Sequence, residues 1–111
     1  MTDIPTNLEE CFVALNKISS KKDINTFKNK PEDDVTTQLH HSVGRELRNQ
    51  WGLWGGSKLK TFLEELGLWH ADDMSDVILT SYHRYLNKID LGLDKQVKNY
   101  KSYWKKMGVN K

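Results

Sequence analysis

Two apolar helical stripes meet at a ten-residue corner, and that corner limits what this chain can fold into. Upstream, Val35, Leu39, Val43 and Leu47 recur at four-residue steps, and downstream Leu59, Phe62, Leu63 and Leu66 share one helical face. Between the stripes, Arg48 to Ser57 carries two indoles, three glycines and an arginine. Glycine permits the tight path of a helix-to-helix corner, and Ser57 is a favourable cap for the helix that follows. Trp51 suits the role of a plug between the two helices. Trp54 and Arg48, one at the tip and one a turn below Trp51, are not needed to build a corner, so both are candidate partner-binding residues.

The same helical period extends in both directions. Leu8, Cys11, Phe12, Leu15 and Ile18 line a first helix capped by Asn7, after a frayed lead-in over residues 1–6. Ser20 and Asp23 form a capping-box pattern that opens a short second helix with Ile24 and Phe27. Pro31 then starts one continuous third helix that runs to the corner, with Glu32, Asp33 and Asp34 at its positive end and Gly44 inside it. That glycine costs about 1 kcal/mol against alanine, which close approach of another backbone would compensate.

Past the corner, Gly67 supplies a left-handed stop, with Leu68 folding back on the last turn. Asp72 or Asp73 caps a helix to about Leu86, whose Met74, Val77, Ile78, Ser81, Tyr82 and Tyr85 span a wide face and predict the most buried helix. After a turn through Gly92, Asp94 opens a last helix with Val97, Tyr100, Trp104 and Met107 inward, and Gly108 ends it. No segment alternates with period two, and nothing repeats. The expectation is an all-α, compact single domain of five to six short helices spanning residues 1–111.

The Arg48–Ser57 segment reads R-N-x-W-G-L-W-x-G-S, and Asp72 to Ser75 reads D-D-M-S ahead of an apolar helix carrying Tyr82. In these motifs the chain resembles a family of small, uncharacterised bacterial helical domains, over about residues 34–104. The resemblance implies a helical fold and no assigned activity. In size and style such domains are also similar to the immunity proteins that neutralise toxins in bacterial competition.

Charge and composition narrow the function classes. Seventeen Lys and Arg against fifteen Asp and Glu leave a formal charge of +2, too small to mark a polyanion binder over the whole chain. The single Cys11, on an apolar stripe, makes no internal disulfide and reads as core. No apolar run suggests a membrane span and no signal-like segment opens the chain, so no membrane and a cytoplasmic location are expected.

Metal binding finds weak geometry, because adjacent His40 and His41 diverge by about 100° on a helix, and Asp72 and Asp73 beside His70 suit capping. Neither a metal nor a cofactor is expected. For catalysis, Tyr82, His83 and Arg84 lie about 16 Å along the helix from Asp72, too far to cooperate, so a non-enzymatic protein is expected. The last helix offers Lys98, Lys101 and Lys105 with Tyr103 as an alternative nucleic-acid face. The favoured reading is a protein-binding module whose partner is another protein, most concretely a cognate toxin. Its candidate contacts are Arg48, Trp54, Glu32, Asp33, Asp34, Asp72, His83 and Arg84.

Overall fold

A computed structural model of the chain describes residues 4–108 and shows seven helices among them, with no strand. They are α1 Leu8–Ile18, α2 Lys21–Lys28, α3 Glu32–Leu39, α4 Val43–Gln50, α5 Lys58–Leu66, α6 Ala71–Leu86 and α7 Leu93–Lys106. Helix α6 is the axis of the fold and packs against α1, α2, α3, α4 and α7. Ten of its sixteen residues are buried, including Met74, Val77, Ile78 and Tyr82, as its wide apolar face predicts. Tyr85 is the exception, half exposed at 48%. Of the lead-in expected to fray, residues 1–3 lie outside the described segment. Pro5 is buried, and Thr6 bonds Glu10 through both its amide and its hydroxyl.

The sequence-based caps over α1, α2 and α5 form as their chemistry dictates. Asn7, Ser20 and Ser57 each accept an amide hydrogen bond three residues ahead. Gly67 takes φ +118° and Leu68 donates back to the Leu63 carbonyl, so the helix stop and the burial of Leu68 are one device. Cys11 is fully buried in the core, and that burial pushes its thiol up to about 12.

The helix expected to run unbroken from Pro31 to the corner is two helices, which raises the count from five or six to seven. Residues 40–42 form a turn, and Ser42, at the start of α4, makes no side-chain cap. Ser42 is the one cap-type residue at this break, no proline marks it, and the four-residue apolar period passes through it. What stabilises it is tertiary. The His40 carbonyl, turned out of the ladder, accepts a hydrogen bond from Arg48 Nη2 at 3.0 Å. Gly44 therefore sits in the first turn of α4 rather than mid-helix. A methyl group there would meet Arg48 Nη1 at 3.1 Å and the Leu39 carbonyl at 3.3 Å. The missing side chain leaves room for the guanidinium.

At the corner, Gly52 at φ +68° would place a methyl group 2.8 Å from the Gly56 carbonyl, so only glycine fits. Ser57 donates to the Trp51 carbonyl at 2.9 Å while capping α5, which staples the two helices. Trp51 is buried as expected, and Leu53 beside it is buried too. Met107, expected inward, is 62% exposed because it follows the end of α7.

Arg48 corrects its assignment to a recognition surface. It is 5% exposed, and its guanidinium donates to Ser75 Oγ at 2.8 Å and approaches Asp72 at 3.4 Å. One side chain thus ties α4, the 40–42 turn and the start of α6. Arg48→Met is expected to lower stability by about 2–3 kcal/mol in urea unfolding, less than a fully buried pair because Asp72 is partly solvated. Arg48→Lys should recover less than half, because an ammonium cannot serve three acceptors in the same fork. A loss under about 0.5 kcal/mol for Arg48→Met would show that the turn at 40–42 holds without it.

Candidate functional site

The start of α6 is where polar chemistry collects, and the cause is an unusual cap. His70, not Asp72 or Asp73, occupies the N-cap: its Nδ1 accepts the Asp72 amide hydrogen at 3.1 Å. A ring nitrogen that accepts carries no proton, so the 3.8 Å approach of Asp72 Oδ2 to the same atom is proximity and not an ion pair. With the cap supplied by imidazole, the aspartate side chains are released for tertiary contacts.

Asp72 and Asp73 use that freedom in different ways, and Asp76, one turn on from Asp72, joins them. Asp72 faces Arg48 and lies 3.9 Å from His40 Nε2. Asp76 bonds His40 Nδ1 at 3.0 Å. Asp73 accepts from the indole Nε1–H of Trp104 at 2.6 Å, a contact that docks α7 onto α6. Burial raises the affinity of Asp73 and Asp76 for protons, and the hydrogen bonds from Trp104 and His40 offset that only in part. Burial, reinforced by these two carboxylates, likewise pushes the Tyr100 phenol up.

These residues line an open cleft of about 430 Å³ between α6 and α7, with Asn99, Tyr100, Tyr103 and Trp104 forming the α7 wall. The aromatic rings continue beyond it. Trp104 stacks on His70 at 5.4 Å and 17°, and meets Trp69 and Tyr103 edge-on. Trp54, 56% exposed at the corner tip, reaches the edge of the same His70 ring at 5.9 Å. The corner and the cleft therefore form one surface.

Of the residues singled out in the sequence, Trp54, Asp72 and Tyr103 meet here, although they belonged to two competing readings. The others go elsewhere. His83 is 5% exposed and its Nε2 donates to the Lys30 carbonyl at 2.8 Å, so it is a core residue and not a contact. Arg84 grips Glu32 with two hydrogen bonds of 2.6 and 3.0 Å and donates to the Leu91 carbonyl, which ties α3 to α6. That bonding holds the Glu32 carboxyl below its usual range and leaves neither side chain available as an open charge. Asp33 stays exposed and Asp34 half-buried, away from the cleft. Lys98, Lys101 and Lys105 are exposed on α7.

The sequence offers His40 and Asp73 only as weak metal ligands or a cap and Trp104 as core, and it gives Asp76 no role. The spacing of Asp72 and Asp76, one helical turn apart, signals a shared carboxylate face. The approach of His40 from a turn between helices had no local signal. Among the described residues, no group of three or more His, Cys, Asp or Glu has metal-holding geometry.

The chain belongs to a family described as a domain of unknown function (DUF6794), whose model matches residues 4–86. The match begins before and ends before the motif-bearing span of about 34–104, so it takes in α1 to α6 and leaves the α7 wall outside. No curated protein and no solved structure matches the chain.

The raised proton affinities fix a sign. A carboxyl whose folded value lies above its unfolded value of about 3.8 weakens the fold once pH exceeds the folded value, and that penalty disappears as pH falls below the unfolded one. Asp73→Asn keeps an acceptor for Trp104 and Asp76→Asn keeps a partner for His40. The double variant is therefore expected to melt above the wild type at pH 7, with the gap closing below about pH 3.8. Thermal unfolding followed by circular dichroism across pH reads this directly, and a variant that melts below wild type at pH 7 would contradict it.

Proposed function

We propose that this member of a domain family of unknown function is a protein-binding module that docks its partner on the surface running from Trp54 to the α6–α7 cleft. The observation that carries this reading is the exposed Trp54 indole, held on a glycine-built corner and continuous through His70 with the rings of Trp104 and Tyr103. Interface energy concentrates in such rigid aromatic anchors, and an anchor that is ordered beforehand costs little entropy on binding. The most concrete form is an immunity protein that neutralises a bacterial toxin in the cytoplasm by occluding it. The acidic contact passes from Glu32, Asp33 and Asp34 to Asp72, Asp73 and Asp76, because Glu32 is already engaged by Arg84.

Nucleic-acid binding on the α7 lysines is the second reading, favoured by the exposure of Lys98, Lys101, Lys105 and Tyr103. Against it, Tyr103 opens onto three carboxylates, so a base stacked there would carry its phosphates toward like charge. A nucleic-acid complex would weaken steeply with salt and fail with Lys98→Glu and Lys101→Glu.

Co-expression with the products of neighbouring genes tests the immunity form: one of them should arrest growth alone, and this chain should restore it. Trp54→Ala should weaken the complex about 10- to 100-fold by calorimetry while leaving the melting temperature near wild type, since the indole is mostly solvated. Absence of rescue across the neighbouring genes would end the immunity form, and an unchanged affinity for Trp54→Ala would move the interface off this surface.

A further inference from the structure

The α6–α7 cleft has a floor of carboxylates and a wall of aromatic rings, and its charges do not balance. Three carboxylates meet a single guanidinium, that of Arg48, which lies 3.4 Å from Asp72 and also acts on Asp76. His70 contributes no charge while its Nδ1 accepts the Asp72 amide hydrogen. His40 lies between Asp76 at 3.0 Å and Asp72 at 3.9 Å and adds at most one positive charge against three carboxylates. Asp73 is bonded by a neutral indole. A concave site with a surplus of partly desolvated negative charge repels phosphates and carboxylates, and a neutral apolar occupant would bury those charges without compensation.

An organic cation meets every requirement. Its charge offsets the carboxylates, and the exposed face of Tyr103 attracts it through its quadrupole. Of the common cations on a protein surface, guanidinium fits best: it is planar, stacks on aromatic rings and bonds carboxylates through a fork of donors. We propose that the cleft receives an arginine side chain of the partner protein, held by Asp76 and Asp73 and stacked on Tyr103, with the edge of Trp104 as the end wall. This deepens the protein-binding reading and rests on it, since the arginine arrives on a protein. Trp54 at the rim would then cover backbone flanking that arginine, making the cleft the centre of the interface and the corner its edge.

The direct test titrates the full chain with N-acetyl-arginine methylamide and follows backbone and indole signals by NMR. Saturable shifts at His40, His70, Asn99, Tyr103 and Trp104 are expected, with a Kd in the millimolar range suited to one side chain. Asp76→Asn and Tyr103→Ala should each weaken the response about tenfold, with circular dichroism confirming that both fold. The glutamate analogue should give no shift, and the lysine analogue a weaker one. No shift with the arginine probe, shifts elsewhere, or equal response to the glutamate analogue would overturn the inference. Binding of free guanidine or agmatine at least a hundredfold tighter than the blocked arginine would also overturn it, by making the occupant a free small molecule. If arginine binds as described but no neighbouring gene product is neutralised, the immunity form fails and the cleft assignment stands. If neutralisation occurs and is indifferent to Asp76→Asn, the cleft assignment fails and the protein-binding reading stands.

Discussion

The guanidinium of Arg48 is the contact on which the arrangement of the domain depends. It bonds the carbonyl left open by the break between α3 and α4, donates to Ser75 inside α6 and lies against Asp72 at the start of that helix. Three features that look separate in the sequence follow from it. Gly44 is small because the guanidinium passes over it. The chain turns at residues 40–42 because the freed carbonyl has a charged donor waiting. His40, displaced from a helical face by that turn, points at Asp76 and becomes part of the cleft. A buried arginine is costly to desolvate, and here its donors are spread over a hydroxyl, a carbonyl and a carboxylate instead of one ion pair.

A second constraint sits at the opposite end of the same cluster. Helices prefer aspartate in the first turn, where the amide groups and the dipole neutralise it. In α6 a histidine nitrogen takes the capping amide, so the first-turn Asp72 and Asp73 face side chains from other elements, Arg48 and Trp104. The fold thus holds carboxylates at positions where amides would satisfy the same hydrogen bonds at lower desolvation cost. Local conflict of this kind, tolerated where a less costly residue would serve, is the ordinary mark of a site shaped for something other than stability.

The sequence carried the periodic and capped parts of the fold well. Apolar spacing located α1, α5, α6 and α7, and serine, asparagine and glycine punctuation placed several of their ends, because both signals are local and each depends on a few neighbouring residues. It missed the split of α3 from α4, since the apolar period survives the break and the groups that stabilise it come from elsewhere in the chain. The candidate site was legible only in pieces. Trp54 and Tyr103 stand out in the sequence as residues without an obvious structural task and Asp72 as a helix cap, yet their meeting depends on the docking of α7 through Trp104 and Asp73, thirty-one positions apart. Arg48 and His83 were misread for a related reason: a polar side chain far from any local partner resembles a surface residue until its distant acceptor is known.

The net charge of +2 conceals how unevenly charge is distributed. Asn99, Tyr103 and Trp104 on α7 line the acidic cleft, while Lys98, Lys101 and Lys105 are exposed on the same helix. At about 100° per residue, Lys98, Lys101 and Lys105 lie on the side of that helix turned away from Tyr103. One element therefore presents negative surroundings on one side and positive charge on the other, within about a helix diameter. A polyanion can match only the second side and is repelled by the first. A protein surface that carries a cation for the cleft and acids flanking it can match both, and its orientation is then fixed by electrostatics before any indole is buried. In the proposed complex the uneven charge sets direction and the aromatic rim supplies contact area.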